Sequence, residues 1–457
     1  MTRDRACIAK ATRDLRRSPP RRALPTELAP ARRAGCGLGR MAGRVLGRVL
    51  GRVDGRNAGR MGAIRMGTIR MGAIRMGAIR MGAIMAGLVA AWGAPACAGT
   101  LTVVVGVSAG MTGPRALVGQ DFTHGVALAL EDLNARNVRI GADRVVWKML
   151  SEDDQGDPRQ AAVIAQKFID AKVAGVVGPD TSGGAFAAER LLDAASIPMM
   201  MPAATDSRLG RMGSRTFFRV IADDAVVSRA LADYAQQELH LRTVTLIDDR
   251  TAFGQGLADA FARDATARGM RVVAREYTTD KASDFSAVLT RVRGQHPDAI
   301  LFGGVFTQAG LMLRQMDRFG LDMPLMGGDG ACVSDLPRIA GEAIRHMVCG
   351  DGRLPLERTP GGLAWRQRYE RRFGHEAYQA YSPYAYDATM VLAQAMQRAG
   401  SAEPARFLPA LRATDYDGIT RDHIRFQPGG EVADPQVTIS VYRDGVKVPV
   451  KVQTVAR

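Results

Sequence analysis

Between residues 174 and 192 a short apolar run, Ala174-Gly175-Val176-Val177, meets Gly178-Pro179-Asp180-Thr181-Ser182 and then a helical pattern that reaches Leu192. A buried strand that opens directly onto a helix start brings unpaired backbone N–H groups together with the hydroxyls of Thr181 and Ser182. That grouping can hold an anion. In open α/β sheets ligands sit beyond the carboxyl ends of the strands, so a bound carboxylate is expected here, the alternative being an ordinary Ser/Thr helix cap. Residues that could carry covalent chemistry do not assemble. There is no Gly-x-Ser-x-Gly, no His-Glu-x-x-His and no Walker loop, and the six histidines are scattered singly. Asp153, Asp154 and Asp157 lack the ligand spacing of an EF-hand, which leaves them loop and helix-cap roles. Binding rather than catalysis is expected, with no cofactor and no metal.

The elements that would position this turn begin only after a long leader. The formal net charge of +16 resides in residues 1–98, which hold 20 Lys and Arg against 4 acidic residues; from 99 to 457 the two signs balance at 42 each. The basic isoelectric point therefore describes the leader, and nucleic-acid binding is excluded for the folded part. Residues 1–60 are rich in Arg, Gly, Ala and Pro, and a five-residue repeat follows from Met61-Gly62-Ala63-Ile64-Arg65. It is too short to build a layer of core. The arginines stop at Arg80, Met81–Ala94 has the length of a signal-peptide apolar region, and Ala96-Cys97-Ala98 reads as a cleavage site. Residues 1–80 are thus expected to be a disordered leader, its earlier part an upstream extension if the true start codon is a repeat methionine such as Met71 or Met76, and 81–98 a signal peptide removed after Ala98. Lipoprotein processing at Cys97 is the alternative. Past the leader only Cys332 and Cys349 remain, available to form a disulfide in an exported protein or to stay as buried thiols.

From Leu101 the pattern alternates apolar β-branched runs with helical spacing: strands at 101–107, 145–150, 173–177 and 197–201, with helices at 122–133, 158–171 and 185–195 between them. A second α/β series runs from helix 225–238 to strand 324–326, and helical stretches follow at 363–373 and 384–398. Two strand-like runs, 437–442 and 446–450, flank an Asp444-Gly445 turn. The rhythm predicts parallel sheets covered by helices on both faces.

At this point the chain resembles the periplasmic leucine/isoleucine/valine-binding proteins of ABC importers, over nearly all of 101–450. The landmarks are Met111-Thr112-Gly113-Pro114, Asp153-Asp154-Gln155-Gly156-Asp157-Pro158, Gly178-Pro179-Asp180-Thr181-Ser182 and Pro202-Ala203-Ala204-Thr205. Further on come Asp248-Asp249-Arg250-Thr251-Ala252-Phe253-Gly254, Asp284-Phe285-Ser286, Phe302-Gly303-Gly304 and Gly327-Gly328-Asp329-Gly330, all in family order. The resemblance implies a two-lobed type I (Venus-flytrap) fold with three crossovers, lobe 1 from 99–222 with 354–420 and lobe 2 from 223–353 with 421–457. It also implies closure on a ligand by hinge motion.

Carried over by position, the resemblance assigns the ligand carboxylate to Ser182, Ala203 and Thr205 and the ligand ammonium to Asp329, which could instead cap the segment after it. Where relatives specific for branched ligands carry tyrosines, this chain has Val118, Phe253 and Phe306, so an apolar side-chain pocket is expected. A disulfide found in some relatives is absent, its two ends replaced by Gly156 and Thr181. The resulting expectation is a monomeric periplasmic solute-binding protein, not an enzyme, that captures leucine, isoleucine or valine and delivers it to an ABC permease. The alternatives are a ligand sensor of the same fold, or another apolar or aromatic amino acid as ligand.

Overall fold

The computed structural model describes residues 99–455; the leader and its expected cleavage site lie outside them. The first sheet grows from β1 (Thr100–Ala109), and the helix α1 (Ala116–Ala135) returns the chain past β2 (Arg139–Ile140) to β3 (Asp143–Asp153). Then come α2 (Pro158–Asp170), β4 (Gly175–Val177), α3 (Ser182–Ala194), β5 (Met199–Met201) and β6 (Phe217–Arg219). The strand order is β2-β3-β1-β4-β5-β6, parallel except for β2. Both faces are covered, and β4, β5 and β6 are buried at every position.

The chain then crosses to a second sheet through α4 (Asp224–Gln237), β7 (Thr243–Asp248), α5 (Ala252–Ala267), β8 (Arg271–Tyr277) and α6 (Ser286–Gln295). It continues with β9 (Ala299–Gly303), α7 (Phe306–Arg318), β10 (Leu325–Gly327), α8 (Leu336–Ala340) and β11 (Met347–Asp351). The helices α9 (Gly362–Phe373), α10 (Ser382–Ala399) and α11 (Pro404–Arg412) precede the hairpin of β12 (Gln436–Arg443) and β13 (Val446–Thr454). The second sheet has the order β13-β12-β11-β10-β9-β7-β8.

Local chemistry fixes the helix starts that face the cleft between the sheets. Asp157, Thr181, Asp223 and Thr251 each cap α2, α3, α4 and α5 by accepting a backbone N–H two or three residues on. Buried Asp121 in α1 plays the same part at long range. Its carboxylate accepts from the N–H groups of Tyr381 and Ser382 and from the Ser382 hydroxyl, holding the start of α10 against lobe 1. At that crossing a Cβ on Gly125 would lie 2.1 Å from the Ser382 carbonyl, so only glycine admits the approach.

The two lobes expected from the resemblance are present, but the last crossover falls later than residue 420. Glu431 bridges to Arg219, Phe426 stacks edge-on against Phe218, and Ile424 pairs with Tyr416, so residues up to about 433 stay with lobe 1. Elements that periodicity did not reveal are short or broken by special residues. β2 and β6 are two and three residues long, β11 carries Gly350, and α11 contains Pro404 and Pro409.

Cys332 and Cys349 form a disulfide, with Cα atoms 5.8 Å apart, tying the turn after β10 to β11. For a loop of this length the chain-entropy model gives about 3 kcal/mol. Replacing both cysteines by alanine is therefore expected to lower unfolding stability in urea by about that amount. Non-reducing peptide mapping should recover the two cysteines in one linked fragment; free thiols at both positions would contradict the pairing.

Candidate functional site

The carboxyl ends of both sheets face one cavity of about 430 Å³. A second hollow lies between Leu101, Lys172 and Glu403 at the opposite, amino ends of the lobe 1 strands, where α/β sheets do not place their ligands.

On the lobe 1 wall stand Thr181, Ser182, Ala203 and Thr205. The Thr181 hydroxyl is spent on its cap, accepting from the Gly184 N–H at 3.1 Å. Ser182 accepts from the Asp206 N–H at 3.2 Å, joining the first turn of α3 to the loop after β5. That loop is held from behind by Arg219, fully buried. Its guanidinium pairs with Glu431 through two hydrogen bonds and donates to the carbonyls of Ala204 and Asp206 at 2.9 and 3.1 Å. The Thr205 carbonyl accepts from the Asp224 N–H. Three successive carbonyls are thus turned away from the cavity whose wall Ala203 and Thr205 form.

On the lobe 2 wall Asp329, 3% exposed, follows β10. The Tyr381 hydroxyl reaches its Oδ2 at 3.3 Å and the Thr205 hydroxyl its Oδ1 at 3.5 Å, so two hydroxyls of lobe 1 converge on one carboxyl of lobe 2. Burial pushes this carboxyl up to about 6, against the opposing pull of Arg353 and the further push of Asp351. Behind it the chain is braced. Arg353 stacks over the Tyr381 ring at 4.0 Å, pairs with Asp351 and donates to the Asp329 carbonyl, and Lys447 bridges Asp351 to the Cys332 carbonyl.

Two more buried carboxyls share this junction. Asp206 pairs with Arg208, while Asp224, 1% exposed, lies beside Thr205. Burial first, and then the charges of Asp329 and Asp206, hold Asp224 well above the usual carboxylate range. The junction of the lobes therefore gathers three buried carboxyls, and the crowding favours the protonated form of Asp224.

Of the seven ligand positions expected from sequence, Ser182, Ala203, Thr205, Asp329 and Phe253 line the cavity. Val118 and Phe306 do not: each is 2% exposed and packed in the hydrophobic core. Phe306 opens α7, and its neighbours Val305 and Thr307 face the cavity instead, because one residue of helix turns a side chain by about 100°. Phe253 lies against the turn after β10; a Cβ on Gly330 would come within 2.8 Å of its ring. Gly156 and Thr181 do meet: a Cβ on Gly156 would stand 3.7 Å from the Thr181 methyl and 3.2 Å from the stem of Arg115.

Tyr381, Arg115 and Asp249, none of them among the expected ligand positions, also line the cavity. The signal for Arg115 was its place directly after the Met111–Pro114 landmark. Asp153 and Asp154 have loop roles, binding the Met111 N–H and the Ser108 hydroxyl.

A sequence profile of the periplasmic binding protein family matches residues 102–445. The chain belongs to the periplasmic binding protein family. Its similarity to an amino acid binding protein of Pseudomonas aeruginosa is 30% identity over 314 residues, 68% of this chain and 82% of that protein. Its similarity to the Leu/Ile/Val-binding protein BraC3 of Rhizobium johnstonii is 29% identity, over 66% and 81% of the two chains. Among solved structures, the leucine-binding protein LivK of Thermotoga maritima superposes with a TM-score of 0.70 at 26% identity, covering 77% of this chain and 98% of that one. In this periplasmic binding protein no helix among the described residues is long and apolar enough to cross a membrane.

A carboxyl near 6 gives the site a pH dependence whose sign follows from the charge. Were Asp329 to hold a ligand ammonium, its ionised form, about one-tenth populated at pH 5, would be the stronger acceptor, and affinity for L-leucine would fall by up to roughly tenfold from pH 7.5 to 5.0. The same raised value makes the ligand-free fold favour the protonated form, a contribution to stability that is lost as pH rises through 6. Titration calorimetry across this range checks the first slope; a pH-independent affinity would contradict the role of Asp329.

Proposed function

We propose that this protein closes its two lobes on an α-amino acid and delivers it to an ABC permease. The carboxylate is taken by lobe 1, through the Ser182 hydroxyl and the loop of Ala203 and Thr205; the ammonium is taken by Asp329 of lobe 2. The observation that carries this reading is the convergence of Thr205 and Tyr381 of lobe 1 on the buried carboxyl of Asp329 in lobe 2, opposite a loop whose carbonyls are held away from the cavity. Neither half alone offers both ends of the head group, which is why ligand favours closure. Leucine, isoleucine and valine are named for relatives and are the first ligands to try. Phe253 and Val305 supply apolar wall for their side chains. The protein acts as a monomeric periplasmic binder without catalytic turnover, after removal of the leader behind Ala98.

Removing one partner of a desolvated charge pair costs about 2 to 5 kcal/mol, or roughly thirtyfold to several thousandfold in affinity. Asp329→Ala should lose leucine binding by that margin in titration calorimetry, while its ligand-free melting temperature changes little. Asp329→Asn should recover part of the affinity through a neutral acceptor. Leucine, isoleucine and valine binding to Asp329→Ala as tightly as to the wild type would overturn the reading.

A further inference from the structure

The helix α5 carries Gly254 and Gly256 in its first turns, although glycine is a poorer helix former than alanine. Gly254 is explained inside lobe 2: a Cβ there would stand 2.2 Å from Asp249 Oδ1 and 2.4 Å from the Gly303 carbonyl oxygen. Gly256 answers to lobe 1 instead. Outside its own helix, the three nearest atoms that a Cβ on Gly256 would meet all belong to Asp206, with Oδ2 at 2.7 Å and Cγ at 3.0 Å. That carboxylate is buried and is held from every side. Its Oδ1 accepts the Arg208 N–H at 2.8 Å, and both oxygens accept from the Arg208 guanidinium. The Asp206 backbone is pinned as well, its N–H by Ser182 and its carbonyl by Arg219. It has no room to swing aside for a side chain at 256. The Arg208 guanidinium, 5.3 Å from the centre of the Phe186 ring in α3, also donates across the lobes to the Ala252 carbonyl at 3.3 Å. One braced ion pair of lobe 1 is therefore seated on the start of α5. Asp206 continues the loop of Ala203 and Thr205, while Ala252 and Phe253 begin α5, so this contact spans the two walls of the cavity.

We propose that Asp206, Arg208 and Gly256 are positioning residues for closure: the ion pair docks on the bare backbone of α5 at Gly256 when the lobes close, and so fixes how near the two cavity walls come. Any side chain at 256 holds the walls apart. The inference rests on the reading that the lobes close, and not on which ligand they close upon. Glycine at 256 weakens α5 in the open protein and is repaid only in the closed one, so replacing it should separate fold stability from ligand affinity.

The first test needs no ligand. A Cβ on Gly256 lies 3.0 Å from Asp206 Cγ, one carbon–carbon bond of about 1.5 Å from that residue's own Cβ, so the two Cβ atoms fall within about 4.5 Å, inside the range a disulfide spans. The double variant Asp206→Cys with Gly256→Cys should therefore cross-link on mild oxidation, as read by peptide mapping. By small-angle X-ray scattering without ligand it should have a smaller radius of gyration than either single-cysteine variant under the same conditions. Failure to cross-link, or a linked protein no more compact than the single variants, would overturn the proposal. The second test is titration calorimetry with L-leucine on Gly256→Ala and Gly256→Leu, beside ligand-free melting curves. Both variants should melt no lower than the wild type, and Gly256→Leu should bind at least tenfold more weakly, with Gly256→Ala between the two. Unchanged affinity in Gly256→Leu, or a lowered melting temperature that accounts for the loss, would contradict a role in closure. A wild type that does not bind leucine would overturn the choice of ligand alone, and the cross-linked pair would still decide the contact.

Discussion

The structure turns on an electrostatic constraint at the junction of the lobes. Closing them brings Asp206, Asp224 and Asp329 into one buried neighbourhood in which Arg208 answers Asp206 and the backing pair of Arg353 and Asp351 largely satisfies itself. Burial first and like charge second raise these carboxyls above the usual carboxylate range, Asp224 through Asp329 and Asp206 and Asp329 through Asp351. In the proposed reading a ligand cation relieves this crowding where the two lobes meet, so that charge balance and closure are one event and a ligand without the cation gives up the larger share of its advantage for the closed state.

The opposite wall depends on backbone direction more than on side chains. Arg219 and Glu431, a buried bidentate pair 212 residues apart in sequence, hold the carbonyls of Ala204 and Asp206 away from the cavity. Breaking such a pair leaves a buried charge without its partner, so this strut links the late segment of the chain to the first lobe as well as to the loop that forms the cavity wall. The disulfide and the Arg353–Asp351–Lys447 chain of contacts do the corresponding work behind Asp329.

Much of this was legible in the sequence, for a physical reason. Cavity-lining residues such as Ser182, Thr205 and Asp329 sit just past strand ends in short turns, where local pattern and position coincide. The apolar end of the pocket was not legible in the same way. Phe306 misleads because an aromatic at a helix start can face core or cleft, and the choice falls to α7 packing against its neighbours. Val118, similarly, points into the core of lobe 1. Arg219–Glu431, Asp121 at the start of α10, and the crossing near residue 433 all arise from contacts between residues far apart in the chain, on which periodicity is silent. Asp224 reads as an ordinary acidic residue in a first helical turn until the fold places Asp329 beside it.

The central claim is that the ammonium, by neutralising this junction, drives closure. Small-angle X-ray scattering separates that from simple filling of the cavity, by comparing the ligand-free protein with saturating L-leucine and with the same concentration of 4-methylpentanoate, which has the carboxylate and the branched chain but no ammonium. The account predicts a smaller radius of gyration with leucine and the ligand-free value with 4-methylpentanoate. Equal compaction by both would contradict it.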